Sequence, residues 1–470
     1  HRDLHSFPTR RSSDLYSAGL SRSLAPFLSL YSRLEPGFLA SLVKRHPDLK
    51  KTFRFHADTW FNTSYYPKVG DTGMFGQKNE QYVGVSFSKN PVAAEFSAYA
   101  FTSAQSLFWQ LYEITQDPLY VQILYRENGS SSAGLPFDIL QENPKEFQAR
   151  VDQVVAGHGT ELKSSSFNME KWCLAMLCSG TGQARRAVWI DYDIGGNHCH
   201  ADAMNIGLFA RGLDLLPGFG YPAVQFGGWY APKALWYRRT AAHNTVVVNG
   251  QDQMPGIGER ETAPIAEQLN PLKAHVGGKT LAWLPGEQIQ GIRVGDSRLY
   301  RSVNLQQYDR TVCLIDCNEQ DFYVLDLFRV RGGSDHTKFN HGYFGELTST
   351  GLTLAPQADF GFNTEMKEFK GDAHPSPDWQ AVWAIKDHYG YLPPGQQVRL
   401  RYLDATTLVE AILARTWIAF GFQNDQTEWI PSLLLRHRGQ DSLATAFVGV
   451  WDFFEKESRI ERLRRARLRT

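Results

Sequence analysis

The densest run of residues able to do chemistry is Trp189-Ile190-Asp191-Tyr192-Asp193-Ile194-Gly195-Gly196-Asn197-His198-Cys199-His200-Ala201-Asp202. Side chains alternate between faces on an extended segment, so His198, His200 and Asp202 are expected to point the same way. Three titratable groups in register can bind a metal, or one can act as a base while another orients it. The simpler alternative is a loop histidine pair that only makes hydrogen bonds at a strand end, and an isolated His-x-His favours it. A second signal is Ala242-His243-Asn244-Thr245-Val246-Val247-Val248-Asn249-Gly250, where a histidine enters an apolar run. A buried imidazole there must be paired with a structural acceptor or with a metal. Between the two lies Gly227-Gly228-Trp229-Tyr230-Ala231-Pro232, followed by Leu235-Trp236-Tyr237. Such a loop suits stacking on a sugar ring and equally suits aromatic core packing.

The elements that must position these residues change character along the chain. From Tyr16 to about Leu162 apolar residues recur at helical spacing, as in Leu28, Tyr31 and Leu34, or Phe96, Tyr99 and Ala100. Pro91 to Tyr112 reads as a helix with Pro91 in its first turn, and Asp117-Pro118 and Asn128-Gly129-Ser130-Ser131-Ser132 read as breaks. After about Ser166 short β-branched and aromatic runs alternate with Gly, Asn and Asp. Examples are Ala187–Asp191, Thr245–Asn249, Phe322–Phe328, Trp417–Phe420 and Ala446–Val450. Val398-Arg399-Leu400-Arg401-Tyr402 reads as a half-buried strand. The expected class is α+β and multidomain, with a large antiparallel β-sandwich after the helices.

Composition bounds the rest. The 470 residues are 42% apolar and 21% charged, enough for a large core and unlike a disordered chain. Lys+Arg and Asp+Glu number 49 each, so the basic excess of a generic nucleic-acid binder is missing. No apolar run reaches the roughly 18 residues that span a bilayer. Cys313 and Cys317 have the spacing of half a zinc knuckle, but no second half follows, and five cysteines are an odd number for a disulfide framework. Six arginines from Arg459 onward, punctuated by Ile460, Leu463 and Leu468, read as a solvated terminal helix or frayed tail. His1 to Leu15 resembles a translated sequencing adaptor and is set aside, so the natural start is expected to lie upstream.

His198-Cys199-His200-Ala201-Asp202, then Leu215-Leu216-Pro217-Gly218-Phe219-Gly220-Tyr221, then Ala242-His243-Asn244-Thr245-Val246-Val247-Val248 together resemble the heparinase II/III-like polysaccharide lyases, which include oligoalginate lyases. Pro67-Lys68-Val69-Gly70-Asp71-Thr72 upstream is similar to that family's approach to its sheets, and Tyr323 to Val330, Asp335-His336 and Asn340-His341-Gly342 to its downstream sheet. The resemblance implies a partial α/α toroid over residues 16–165, an antiparallel β-sandwich over 166–470, and an active site in the cleft between them. It implies β-elimination at a uronic acid. That reaction needs the substrate carboxylate neutralised as a carbanion forms, a base for the C5 proton and an acid for the departing O4.

Carried over by residue, His198 resembles the histidine facing the cleft, and Tyr230 the tyrosine on the sheet side, with Tyr237 second and Tyr16 the toroid tyrosine. His200 and His243 match two ligands of a structural zinc. Gly218 stands where the family places a third, acidic ligand, which leaves Asp202 or Asp214 as the substitute. Trp229, Tyr237 and Asn244 are the substrate-binding candidates. The family's carboxylate-gripping Asn-His pair belongs upstream of Tyr16, and His56 and His158 do not replace it. The implied partner is an acidic polysaccharide or oligosaccharide, with no nucleic acid and no membrane. A homodimer is compatible with this, and the parent protein is expected in the periplasm or outside the cell. Two other readings stand beside the lyase. One is a non-catalytic carbohydrate-binding relative with a degenerate metal site. The other is a non-heme iron oxygenase, because His200, Asp202 and His243 also form a two-His, one-carboxylate set.

Overall fold

The computed structural model describes residues 14–87, 104–194, 198, 200–253, 276–300, 303–360, 364–421 and 424–464. These fall into two units. One comprises Asp14–Tyr66 and Lys78–Ser164, and the other Pro67–Gln77 with Ser165–Thr470. The division differs from a single cut near residue 165, because the short segment Pro67–Gln77 belongs with the sheets.

The first unit is helical. Its helices are Asp14–Leu34, Phe38–Arg45, Leu49–Asp58, Ala104–Thr115, Leu119–Glu127 and Pro144–His158. Local chemistry sets several boundaries. Pro118 stands at the cap of Leu119–Glu127, as the break at Asp117-Pro118 requires. Asn143 accepts a hydrogen bond from the Glu146 amide, with Pro144 in the first turn. Phe53, Trp60, Phe108 and Tyr120 centre the core. The helix expected over Pro91 to Tyr112 is present from Ala104, and its earlier part lies outside the described residues.

The second unit is built of antiparallel sheets. The first has five strands, Phe167–Met169, Leu174–Ser179, Arg186–Asp191, Asn205–Ala210 and Leu213–Asp214, in that order. The second has eight, ordered Gly345–Thr350, Gln380–Ile385, Arg399–Asp404, Ala444–Phe454, Phe322–Arg331, Gln307–Asp316, Ile289–Gly295 and Lys279–Leu284. The third has six, ordered Ala355–Pro356, Met366–Asp372, Glu410–Phe420, Gln426–Arg438, Asp335–His341 and Val246–Val248. The fold class is therefore α+β. One large apolar core takes Val188, Ile190 and Ile206 from the first sheet, Val312 and Phe328 from the second, and Val246 and Leu433 from the third. Burying three sheet faces in one core fixes where the loops at the strand ends converge.

Two expectations need correction. Arg399–Asp404 is not half-buried: Arg401 is buried as well as Leu400 and Tyr402, because its guanidinium pairs with Asp452 at 2.7 Å. The arginine-rich end is not helical over its described part. Arg459 pairs with Asp321 at 2.7 Å and Arg462 with Asp378 at 2.5 Å, so these cations bind surface acids of the sheet unit.

Candidate functional site

Pro67–Gln77 supplies a residue that sequence reading passed over. Asp71 is buried and accepts from two histidines, His198 Nδ1 at 2.8 Å and His200 Nε2 at 2.9 Å. Burial alone would raise this carboxyl, but the two imidazole hydrogen bonds hold it down at about 2. An ionised carboxylate only accepts, so the protons sit on Nδ1 of His198 and Nε2 of His200. The Asp71 amide also donates to the His198 carbonyl at 3.0 Å. Two histidines in one short run call for an acceptor, but Asp71 lies more than a hundred positions away in sequence, so only the fold identifies it.

Strand alternation is not what aligns the pair. His198 lies on a turn with φ 61°, a left-handed conformation. The turn brings both rings onto the same carboxylate, and it leaves them in different surroundings. The His198 side chain is 33% exposed and the His200 side chain 1%.

His200 faces His243, with ring centroids 5.2 Å apart. His243 Nε2 lies 3.0 Å from the Tyr237 carbonyl, which can only accept, so that nitrogen is protonated. The other ring nitrogen of each, Nδ1, is buried without a hydrogen-bond partner. Asp202 completes the set: the ligand atoms of His200, Asp202 and His243 all lie within 4.8 Å of one another. Burial pushes His243 well below its ordinary value and keeps it neutral. Burial, with Asp193 nearby, raises Asp202 to about 6 against the pull of His200. Two orphaned imidazole nitrogens and a buried carboxylate are a donor set that fits a divalent metal. Asp71 and the Tyr237 carbonyl hold the far nitrogens as outer-shell partners of a metal site do.

Of the two acidic candidates, Asp202 lies with the histidines, whereas Asp214 is engaged by Lys68 at 2.6 Å with both side chains buried. Gly218 has no room for the family's aspartate, since a Cβ there would stand 2.7 Å from the Lys68 carbonyl oxygen and 2.9 Å from its Cβ.

Two substrate-binding candidates are corrected. Tyr237 is fully buried. Its hydroxyl donates to the Ala419 carbonyl at 3.1 Å and accepts from the Ala419 amide at 2.6 Å, so no sugar reaches it. Asn244 is buried too. Its side chain donates to the Ile206 carbonyl at 3.2 Å and accepts from the His341 amide at 2.6 Å, stitching two sheets together. Trp229 and Tyr230 do lie at the surface, 39% and 68% exposed, on the turn before helix Pro232–Arg238. Trp229 packs edge-on against Tyr221 at 5.6 Å. Tyr16 falls in helix Asp14–Leu34, and its side chain lies outside the described residues.

Residues 183–397 match the family described as heparinase II/III-like, C-terminal. No curated protein matches the chain. Among solved structures, a heparinase III superposes with a TM-score of 0.53 at 12% identity, over 93% of this chain and 53% of that one. The heparan sulfate lyase HepC from Pedobacter heparinus gives 0.50 at 12% identity, over 94% and 52%. The heparinase III BT4657 gene product gives 0.50 at 12% identity, over 87% and 46%. The chain thus shares their fold and spans about half the length of the structures it matches.

Proposed function

We propose, from the match of residues 183–397 to the heparinase II/III-like C-terminal family, that the chain is part of a polysaccharide lyase that cleaves uronic-acid-containing glycans by β-elimination. One observation carries this reading: Asp71 holds an accessible histidine, His198, beside a sealed His200–Asp202–His243 set.

In this reading His198 is the base. With Nδ1–H donated to Asp71, the basic lone pair of the neutral ring is on Nε2. Nε2 takes the C5 proton of the uronate, and Asp71 stabilises the imidazolium that results. The C5 electrons form the C4–C5 double bond as the C4–O4 bond breaks. The Tyr230 hydroxyl gives its proton to O4, and Trp229 offers a stacking face to the neighbouring sugar. Zinc is the metal best suited to two imidazoles and a carboxylate, and when bound by His200, Asp202 and His243 it pins the loop that carries His198. All three of these residues are buried, which suits a structural ion and disfavours an iron oxygenase, whose metal must meet substrate and oxygen.

The test is to incubate the chain with a panel of uronate polymers and follow the absorbance of unsaturated products. Turnover that Tyr230→Phe removes, with an unchanged melting curve, is expected. Sugar binding without product in the unaltered chain would favour a carbohydrate-binding protein instead, and turnover unaffected by Tyr230→Phe would remove the tyrosine from the mechanism.

A further inference from the structure

We propose that Arg310 is a positioning residue for the metal-binding nook, acting through two backbone carbonyls. The proposal rests on the metal reading of His200, Asp202 and His243 given above.

Arg310 comes from strand Gln307–Asp316 of the second sheet and is fully buried. Its Nε and Nη2 fork onto Asp326 at 2.8 and 2.6 Å. Asp326 also accepts from Lys338 of the third sheet at 2.7 Å. Two cations therefore share one carboxylate. The remaining guanidinium edge donates from Nη1 to the Met204 carbonyl and to the Asn244 carbonyl, each at 2.5 Å. Met204 follows Asp202 by two positions, and Asn244 follows His243 directly. One nitrogen thus ties together the two chain segments that bring the carboxylate and the second imidazole.

The chemistry of the fork makes this a matter of position. A guanidinium is planar and rigid, so locking two of its nitrogens on Asp326 fixes where the third points. The spacing of the Met204 and Asn244 carbonyls follows from that plane, and with it the spacing of Asp202 from His243. Metal sites tolerate ligand displacements of only about 0.2 Å. Lysine can hold the charge on Asp326 but cannot span both carbonyls.

The molecule supplies its own control. Arg186 is also buried, pairs with Asp316 at 2.7 Å, and donates from Nη1 to the carbonyls of Ala184 at 3.0 Å and Glu319 at 2.6 Å. None of these residues adjoins a ligand. The experiment compares zinc affinity, by chelator competition, and metal-free melting for the full chain, Arg310→Lys and Arg186→Lys. Both substitutions are expected to lower metal-free stability. Arg310→Lys is expected to weaken zinc binding by about tenfold or more, the usual size of an outer-shell effect, and Arg186→Lys by less than about twofold. Equal losses of affinity in the two variants, or none in Arg310→Lys, overturn the proposal alone. An unaltered chain that binds no zinc overturns the metal reading as well. Should Arg310→Lys fail to fold, hydrogen exchange on the unaltered chain decides. Zinc is then expected to slow exchange in 307–316 along with 203–206 and 244–248, and protection that stops at the ligand segments overturns the proposal.

Discussion

His198 and His200 donate to the same carboxylate, yet they meet opposite environments. One side chain is 33% exposed and the other 1%. The buried ring sits with Asp202 and His243, and its Nδ1 has no hydrogen-bond partner. The other ring, on the same anchor, has access to solvent, as the proposed base requires. Residue type and anchor are the same, and solvent access is what separates them. The sharpest way to break this comparison is to remove each ring in turn. His198→Ala is expected to lower turnover by about three orders of magnitude, within the range for losing a general base, while zinc content stays within about twofold. His200→Ala is expected to abolish zinc binding. Metal analysis beside product absorbance checks both, and a zinc loss in His198→Ala equal to that in His200→Ala would erase the distinction.

Burial also sets how the sheet unit responds to acid. His341 is buried, its Nε2 meets the Ala241 carbonyl at 2.8 Å, and desolvation lowers it from 6.5 to about 4. The folded state then binds fewer protons than the unfolded state between those two values. Stability is full above pH 6.5 and declines as pH falls toward 4, by on the order of 3 kcal/mol from this group. Denaturant unfolding at stepped pH is expected to show that decline, and His341→Asn is expected to flatten it. A slope unchanged in His341→Asn would assign the acid sensitivity elsewhere.

Much of this was legible in the sequence because it depends on local pattern. Strand runs such as Phe322–Phe328 and Ala446–Val450 lie inside observed strands, since β-branched and aromatic alternation is what a pleated, buried surface selects. The grouping of His200 with His243 came from resemblance and not from spacing. Asp71 was not legible as a site residue. It lies more than a hundred positions from the histidines, and only the folded turn at His198 shows that one carboxylate serves both. The roles of Tyr237 and Asn244 were misjudged for a related reason. Sequence marks an aromatic and an amide as available, but burial decides that one acts through its carbonyl and the other as a brace. Likewise nothing in the sequence says why glycine stands at Gly218 where the resemblance implies an acidic ligand; the packing of Lys68 against it appears only in the fold.

That last point makes the sealed side of the comparison sharper. Gly218→Asp is expected to destabilise the fold by about 2 kcal/mol through overpacking against the Lys68 backbone, which cannot swing away as a side-chain tip could. Zinc content is expected not to rise, because Asp202 already supplies the carboxylate. Denaturant unfolding and metal analysis check the two halves. A variant with unaltered stability and a higher zinc affinity would place the acidic ligand at residue 218 after all.

The open side calls for the mildest substitution. Trp229 is 39% exposed and rests edge-on against Tyr221, so little core packing is lost when it is shortened. A sugar ring stacked on its indole would lose about 1 kcal/mol, which is about fivefold in KM. Trp229→Ala is therefore expected to raise KM by that factor, leave kcat unchanged, and leave the melting curve and zinc content where they were. The His200 and His243 nook should not register the change, because neither ring touches the turn for its protonation or its packing: their far nitrogens are held by Asp71 and the Tyr237 carbonyl. An unchanged KM would take the aromatic turn out of the substrate path. A fall in kcat without a change in KM would instead mean that Trp229 acts by holding Tyr230, and that the open side is itself divided between a residue that binds and one that moves a proton.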